Sequence, residues 1–94
     1  MRDLAGKVAF ITGGASGMGL GMARAFAGEG MKLMLADVNE ARLGEVEQEF
    51  KEKGVDVATI VCDVTKLEQV NAAADATVER FGKVHVLCNN AGIN

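Results

Sequence analysis

Four short apolar runs recur along the 94 residues, and the segments between them have helical periodicity. The first, residues 7–12 (Lys-Val-Ala-Phe-Ile-Thr), is continuous and runs into glycines, the pattern of a strand covered on both faces. Residues 33–36 form a second run closing on Asp37, the β-branched stretch 55–61 a third, and residues 84–88 a fourth. Between the first two, residues 17–29 place Leu20, Ala23 and Ala27 on one helical face with Arg24 opposite, and Gly28 and Gly30 mark the end. Asn39 predicts an N-cap for a helix over residues 40–53, whose Leu43, Val46 and Phe50 share a face. Its charges (Glu45, Glu47, Glu49, Lys51, Glu52 and Lys53) fit a solvated surface. Thr65 predicts the cap of a third helix over residues 66–81, with Val70, Ala74, Val78 and Phe81 turned inward and Gly82 as its stop. The alternation βαβαβαβ specifies an α/β fold, a doubly wound parallel sheet with helices on both faces and strand order 3-2-1-4. No linker, repeat or low-complexity tract interrupts it, so residues 1–94 are expected to form one small domain or the N-terminal part of one.

The absent residue types exclude much chemistry. There is no Tyr, no Trp and no Pro, Ser16 is the single serine and His85 the single histidine. A tyrosine acid or a freely placed Ser–His pair is therefore not available within these residues. His85 alternates with Val84 and Val86 at the start of the fourth run, which reads as a structural position. The net charge of −3 argues against a nucleic-acid partner, which calls for a basic face. The apolar run 8–11 is too short for a secretory core, and nothing approaches a membrane span. Cys62 and Cys88 lack metal-ligand spacing and sit in apolar runs as free, buried thiols, which suits a reducing, cytoplasmic setting. No metal site is expected.

Chemistry concentrates at the carboxyl ends of the four runs. Residues 12–19, Thr-Gly-Gly-Ala-Ser-Gly-Met-Gly, lead from the first strand into the first helix. Glycines here allow a sharp turn and let a pyrophosphate approach the backbone, while the helix N-terminus offers unpaired N–H groups and partial positive charge. Two related loops are excluded: Leu20 and Gly21 follow Gly19 where a Walker A loop needs Lys and Ser or Thr, and Met22 stands where G-x-G-x-x-G needs its third glycine. The pattern present is T-G-x-x-x-G-x-G. Asp37 closes the second strand about 20 residues past the loop, where a carboxylate accepts bonds from an adenosine ribose and repels a 2′-phosphate. Neither Val38 nor Ser16 carries a positive charge to hold such a phosphate, so NAD is expected over NADP. Asp37 also suits the N-terminal dipole of the following helix. Asp63-Val64 ends the third strand, and Asn89-Asn90-Ala91-Gly92 ends the fourth. A loop carboxylate in water and a self-satisfied turn remain open readings of these two.

Together, Thr12-Gly13-x-x-x-Gly17-x-Gly19, Asp37, Asp63-Val64 and Asn89-Asn90-Ala91-Gly92 resemble the signature set of the single-domain short-chain dehydrogenase/reductase family, in order and at family spacing. The resemblance implies a Rossmann-type fold with NAD as cofactor. It implies Gly13, Gly17 and Gly19 at the pyrophosphate, with Ser16 and Met18 beside the adenosine and diphosphate portions. It implies Asp37 at the adenosine ribose, Asp63 and Val64 at the adenine ring, and Asn90, Ala91 and Gly92 near the nicotinamide ribose. Asn89 and Asn90 would also brace the central strands. The family's reaction is hydride transfer between NAD(H) and a small alcohol or ketone, in proteins that are commonly homo-oligomers. Its proton donor is a tyrosine in Tyr-x-x-x-Lys, aided by a serine and an asparagine, all in the second half of a longer chain. With no tyrosine, these residues are expected to supply cofactor binding and no catalytic group. A stand-alone dinucleotide-binding module and an inactive truncated fragment are the alternatives.

Overall fold

The computed structural model describes residues 3–90. Strand β1 (Val8–Thr12) leads to helix α1 (Gly17–Gly28), β2 (Lys32–Asp37) to α2 (Glu40–Glu52), and β3 (Val57–Val61) to α3 (Leu67–Phe81), with β4 (Val86–Asn89) last. The strands form one four-stranded parallel sheet in the order β3-β2-β1-β4. This is the Rossmann-type arrangement read from the sequence.

Side chains alternate across the sheet, and the two faces have separate cores. Ala9, Ile11, Leu33 and Leu35 point to one face, where α1 and α2 cover them with Leu20, Ala23, Leu43, Val46 and Phe50. Phe10, Met34 and Ala36 point to the other, where they meet Cys62 and Ala73 of the α3 side. β1 is buried along its length and β2 at all but its two end residues, as expected of parallel strands covered above and below. Over β4 the second face is open: Leu87, which pairs with Phe10, is 62% exposed.

The α2 cap is as expected, with Asn39 Oδ1 accepting from the Arg42 N–H at 3.0 Å. The α3 cap is not. Thr65 lies before the helix, and its hydroxyl donates to Asp63 Oδ1 at 2.7 Å; Lys66 takes the N-cap position without a side-chain bond. The inward face of α3 also differs. Ala73 and Thr77 are its buried residues, whereas Val78 is 49% exposed and Val70, Ala74 and Phe81 pack only in part. Small side chains let the helix approach Phe10 and Met34, and Thr77 satisfies its hydroxyl by donating to Ala73 O at 2.7 Å. The third strand starts later than its β-branched run, because the Val55 N–H is spent on Phe50 O at the end of α2.

His85 precedes β4 at the end of the sheet remote from the glycine loop. Its Nδ1 accepts from the Val8 N–H at 2.9 Å and its own N–H donates to Val8 O at 2.9 Å, so it joins β4 to β1. Both cysteines are free; burial pushes their thiols above the ordinary range, aided at Cys62 by the neighbouring Asp63 charge. Among the described residues no helix is long and apolar enough to cross a membrane.

Candidate functional site

The turn out of β1 determines the site. Gly13 and Gly17 have φ of 63° and 58°, backbone conformations that residues with a Cβ rarely adopt. Gly19 is needed for a different reason: a Cβ there would be driven into the carbonyl of Gly13. The first turn of α1 thus lies directly on the end of β1. Two consecutive amides tie the loop to β2, with the Gly14 N–H donating to Ala36 O at 3.1 Å and the Ala15 N–H to Asp37 Oδ2 at 3.1 Å. Ser16 is the extended N-cap of α1, and its side chain makes no capping bond. The first intrahelical bond of α1 runs from the Leu20 N–H to Ser16 O, so the amides of Gly17, Met18 and Gly19 have no intrahelical acceptor. The first turn holds no acidic side chain to compete for its partial positive charge.

Asn90 closes the opposite side. With Gly13, Ser16, Gly17, Met18 and Gly19 it lines a cleft of about 250 Å³ at the switch point between β1 and β4. A small network holds Asn90 there. Its N–H donates to Thr12 Oγ1 at 2.9 Å and its Nδ2 to Thr12 O at 3.0 Å, while Thr12 Oγ1 donates to Asn89 Oδ1 at 2.9 Å. Asn89 and Asn90 therefore brace β4 against β1 at the cleft. Thr12 is buried and central to this network, a role that its place in the T-G-x-x-x-G-x-G pattern does not by itself assign. A hydroxyl at the end of an otherwise apolar buried strand was the available signal.

Asp37 stands beside the cleft at the end of β2, half-buried, with Oδ1 accepting from the Asn39 N–H at 3.1 Å. Val38 is 64% exposed and Ser16 is exposed, so no cation accompanies the carboxylate from these two positions. Asp63, two residues beyond the end of β3, is occupied locally: Oδ1 accepts from the Thr65 hydroxyl at 2.7 Å and from its N–H at 3.0 Å, and these bonds hold the carboxyl below its ordinary range. The Asp63 N–H donates to Gln69 Oε1 at 2.8 Å, a contact with no signal in the sequence pattern. Val64 packs in part against the Phe10–Met34–Ala73 core. Neither Asp63 nor Val64 lines the cleft at α1. Ala91 and Gly92 lie outside the described residues. Among the described residues no group of three His, Cys, Asp or Glu could hold a metal ion.

The family profile of the short chain dehydrogenases matches residues 7–94. The chain belongs to this family. A short-chain dehydrogenase was thus legible in the motif set, and relatives agree. A 2,5-dichloro-2,5-cyclohexadiene-1,4-diol dehydrogenase of Sphingobium indicum is 48% identical over 90 residues, covering 96% of this chain and 36% of that protein. The crystal structure of a short chain dehydrogenase/reductase from Burkholderia phymatum in complex with NAD is 46% identical with a TM-score of 0.89, covering 93% of this chain and 31% of that one. An actinorhodin polyketide ketoreductase solved with NADPH is 40% identical with a TM-score of 0.86, covering 92% and 33%. The chain spans about a third of the length of the relatives it matches. Short-chain dehydrogenases occur with either nicotinamide cofactor, so family membership alone does not fix which one this member uses.

Proposed function

We propose that this chain supplies the cofactor-binding part of an NAD-dependent short-chain oxidoreductase acting on an alcohol or ketone. The observation that carries the reading is the cleft at α1, where a glycine-only contact between residues 13 and 19 leaves three amides at a helix N-terminus without intrahelical partners. That cradle fits a pyrophosphate: a Cβ at Gly19 would displace its wall, and the helix end offers donors and partial positive charge. Bound there, a nicotinamide cofactor would supply the hydride acceptor or donor. The chain's own residues bind and orient it. Gly13, Ser16, Gly17, Met18 and Gly19 hold the diphosphate region, and Asp37 accepts from the adenosine ribose. Asp63 and Val64 border the adenine, and Asn90 with Ala91 and Gly92 meets the nicotinamide ribose. Asn90 is preset for this by its two bonds to Thr12.

Preference for NAD follows from charge. A 2′-phosphate beside the Asp37 carboxylate meets repulsion, and neither Ser16 nor Val38 offers a compensating cation. The test is Asp37→Ala combined with Val38→Arg, which the exposure of Val38 permits. The cofactor preference in Kd should move toward NADP by roughly 2–4 kcal/mol, from relieved repulsion plus a charge-assisted phosphate bond. Equal Kd for the two cofactors in the unaltered protein would refute the assignment. Catalysis itself requires an acid that these residues do not include, since they contain no tyrosine. Residues 1–94 alone should therefore show no turnover. Free thiols at Cys62 and Cys88 fit a cytoplasmic protein, and homo-oligomerisation is part of the same family-based reading.

A further inference from the structure

Building on the nucleotide-binding reading above, we infer that Asp37 is also a positioning residue for the glycine loop, so that its carboxylate governs diphosphate binding independently of any ribose contact. Its Oδ2 accepts from the Ala15 N–H at 3.1 Å and its Oδ1 from the Asn39 N–H at 3.1 Å. The carboxylate therefore links the turn before α1 to the turn before α2, and Asn39 in turn caps α2 through the Arg42 N–H. Ala15 is one residue from the N-cap of α1, and its side chain is 1% exposed within the core that α1 and α2 share. Its amide has little access to a substitute partner. Ser16 makes no side-chain cap, so the tethers that fix this part of the loop to β2 are the backbone bond from Gly14 to Ala36 and the side-chain bond from Ala15 to Asp37.

One carboxylate can serve both purposes. Each oxygen has two acceptor positions, and a single backbone N–H on each leaves one apiece for ribose hydroxyls. An amide cannot do the same. Asparagine has one acceptor oxygen, and its NH2 group would face a backbone donor at either Ala15 or Asn39. Electrostatics gives the proposal a distinctive sign. Removing a negative charge beside a diphosphate should, by charge alone, tighten binding. Loss of the loop tether should weaken it.

The test is a cycle in the intact protein, measuring ADP and 2′,3′-dideoxy-ADP by calorimetry against the unaltered chain, Asp37→Ala and Asp37→Asn, with amide hydrogen exchange on the ligand-free proteins. The dideoxy nucleotide has no ribose hydroxyls for Asp37 to receive. We expect Asp37→Ala to weaken its binding 5- to 10-fold, roughly the net contribution of one ordinary hydrogen bond, and to speed exchange at Ala15 at least 10-fold while Gly14 stays protected. Asp37→Asn should lose protection at one of Ala15 and Asn39 and keep it at the other. Unchanged or tighter dideoxy-ADP binding by Asp37→Ala, or full protection of both amides in Asp37→Asn, would overturn the loop role while leaving ribose recognition intact. Failure of the unaltered protein to bind ADP would instead overturn the nucleotide reading on which the proposal rests. Intact protection of the β1 and β2 amides separates either result from unfolding.

Discussion

Thr12→Val isolates the network that joins the cleft to the sheet. Valine has nearly the shape of threonine, so the packing around this 2%-exposed side chain is kept and only the hydroxyl is lost. That hydroxyl accepts from the Asn90 N–H at 2.9 Å and donates to Asn89 Oδ1 at 2.9 Å. Each such bond is worth about 0.5–1.5 kcal/mol net, and leaving its half-buried partner without it adds part of a desolvation cost, for a total of about 2–4 kcal/mol. Thr12→Ser removes one buried methyl group and keeps the hydroxyl, costing about 1 kcal/mol. The stability order should therefore be threonine, then serine, then valine, read from urea unfolding with an unchanged m-value. A valine variant within about 0.5 kcal/mol of the unaltered protein, or one more stable than the serine variant, would refute a hydrogen-bonding role and reduce Thr12 to a packing residue.

Gly19→Ala should weaken nucleotide binding at least about tenfold while most helical signal remains, because its Cβ collides with the Gly13 carbonyl at the mouth of the cleft; unchanged affinity would place the ligand elsewhere. His85→Ala should cost about 1 kcal/mol in urea unfolding, since the Val8 N–H loses its Nδ1 acceptor, and no loss would show that the bond is replaced by water. Arg24 holds the Glu49 carboxyl down to about 2, through bonds of 2.9 Å from both Nε and Nη2. A lowered folded value stabilises above the unfolded carboxylate value of about 4.3 and is lost as pH falls through the folded one. The stability difference between the unaltered protein and Glu49→Gln should therefore be constant from neutral pH to about 5 and shrink toward pH 2; a pH-independent difference would contradict the pairing.

The sheet was legible because its determinants are local. Continuous apolar runs ending in glycine or acid mark buried parallel strands, and the Leu43–Val46–Phe50 stripe with Asn39 ahead of it marks both the face and the start of α2. The α3 face was misread for a physical reason. The largest apolar residues of the segment suggested the stripe, but close approach to Phe10 and Met34 selects the small Ala73 and Thr77, and Val78 is left outside. Thr65 resembled a cap because it stands just before the helical segment. Asp63, two residues earlier, claims both its amide and its hydroxyl. The glycine loop, Asp37 and Asn90 were visible as residue types at strand ends. Their couplings to Ala15 and Thr12 span 22 and 78 residues and involve backbone groups that carry no sequence signal.

The most direct test of the site is titration of the 15N-labelled intact protein with NAD, following each backbone amide. Saturable shifts should concentrate at Ser16, Gly17, Met18 and Gly19, with smaller ones at Asp37 and Asn90, and a weaker response to NADP at equal concentration. Shifts centred instead on the groove between α2 and β3, around Glu40, Glu47 and Thr59, or no shifts at α1 at saturating NAD, would contradict this reading of the site.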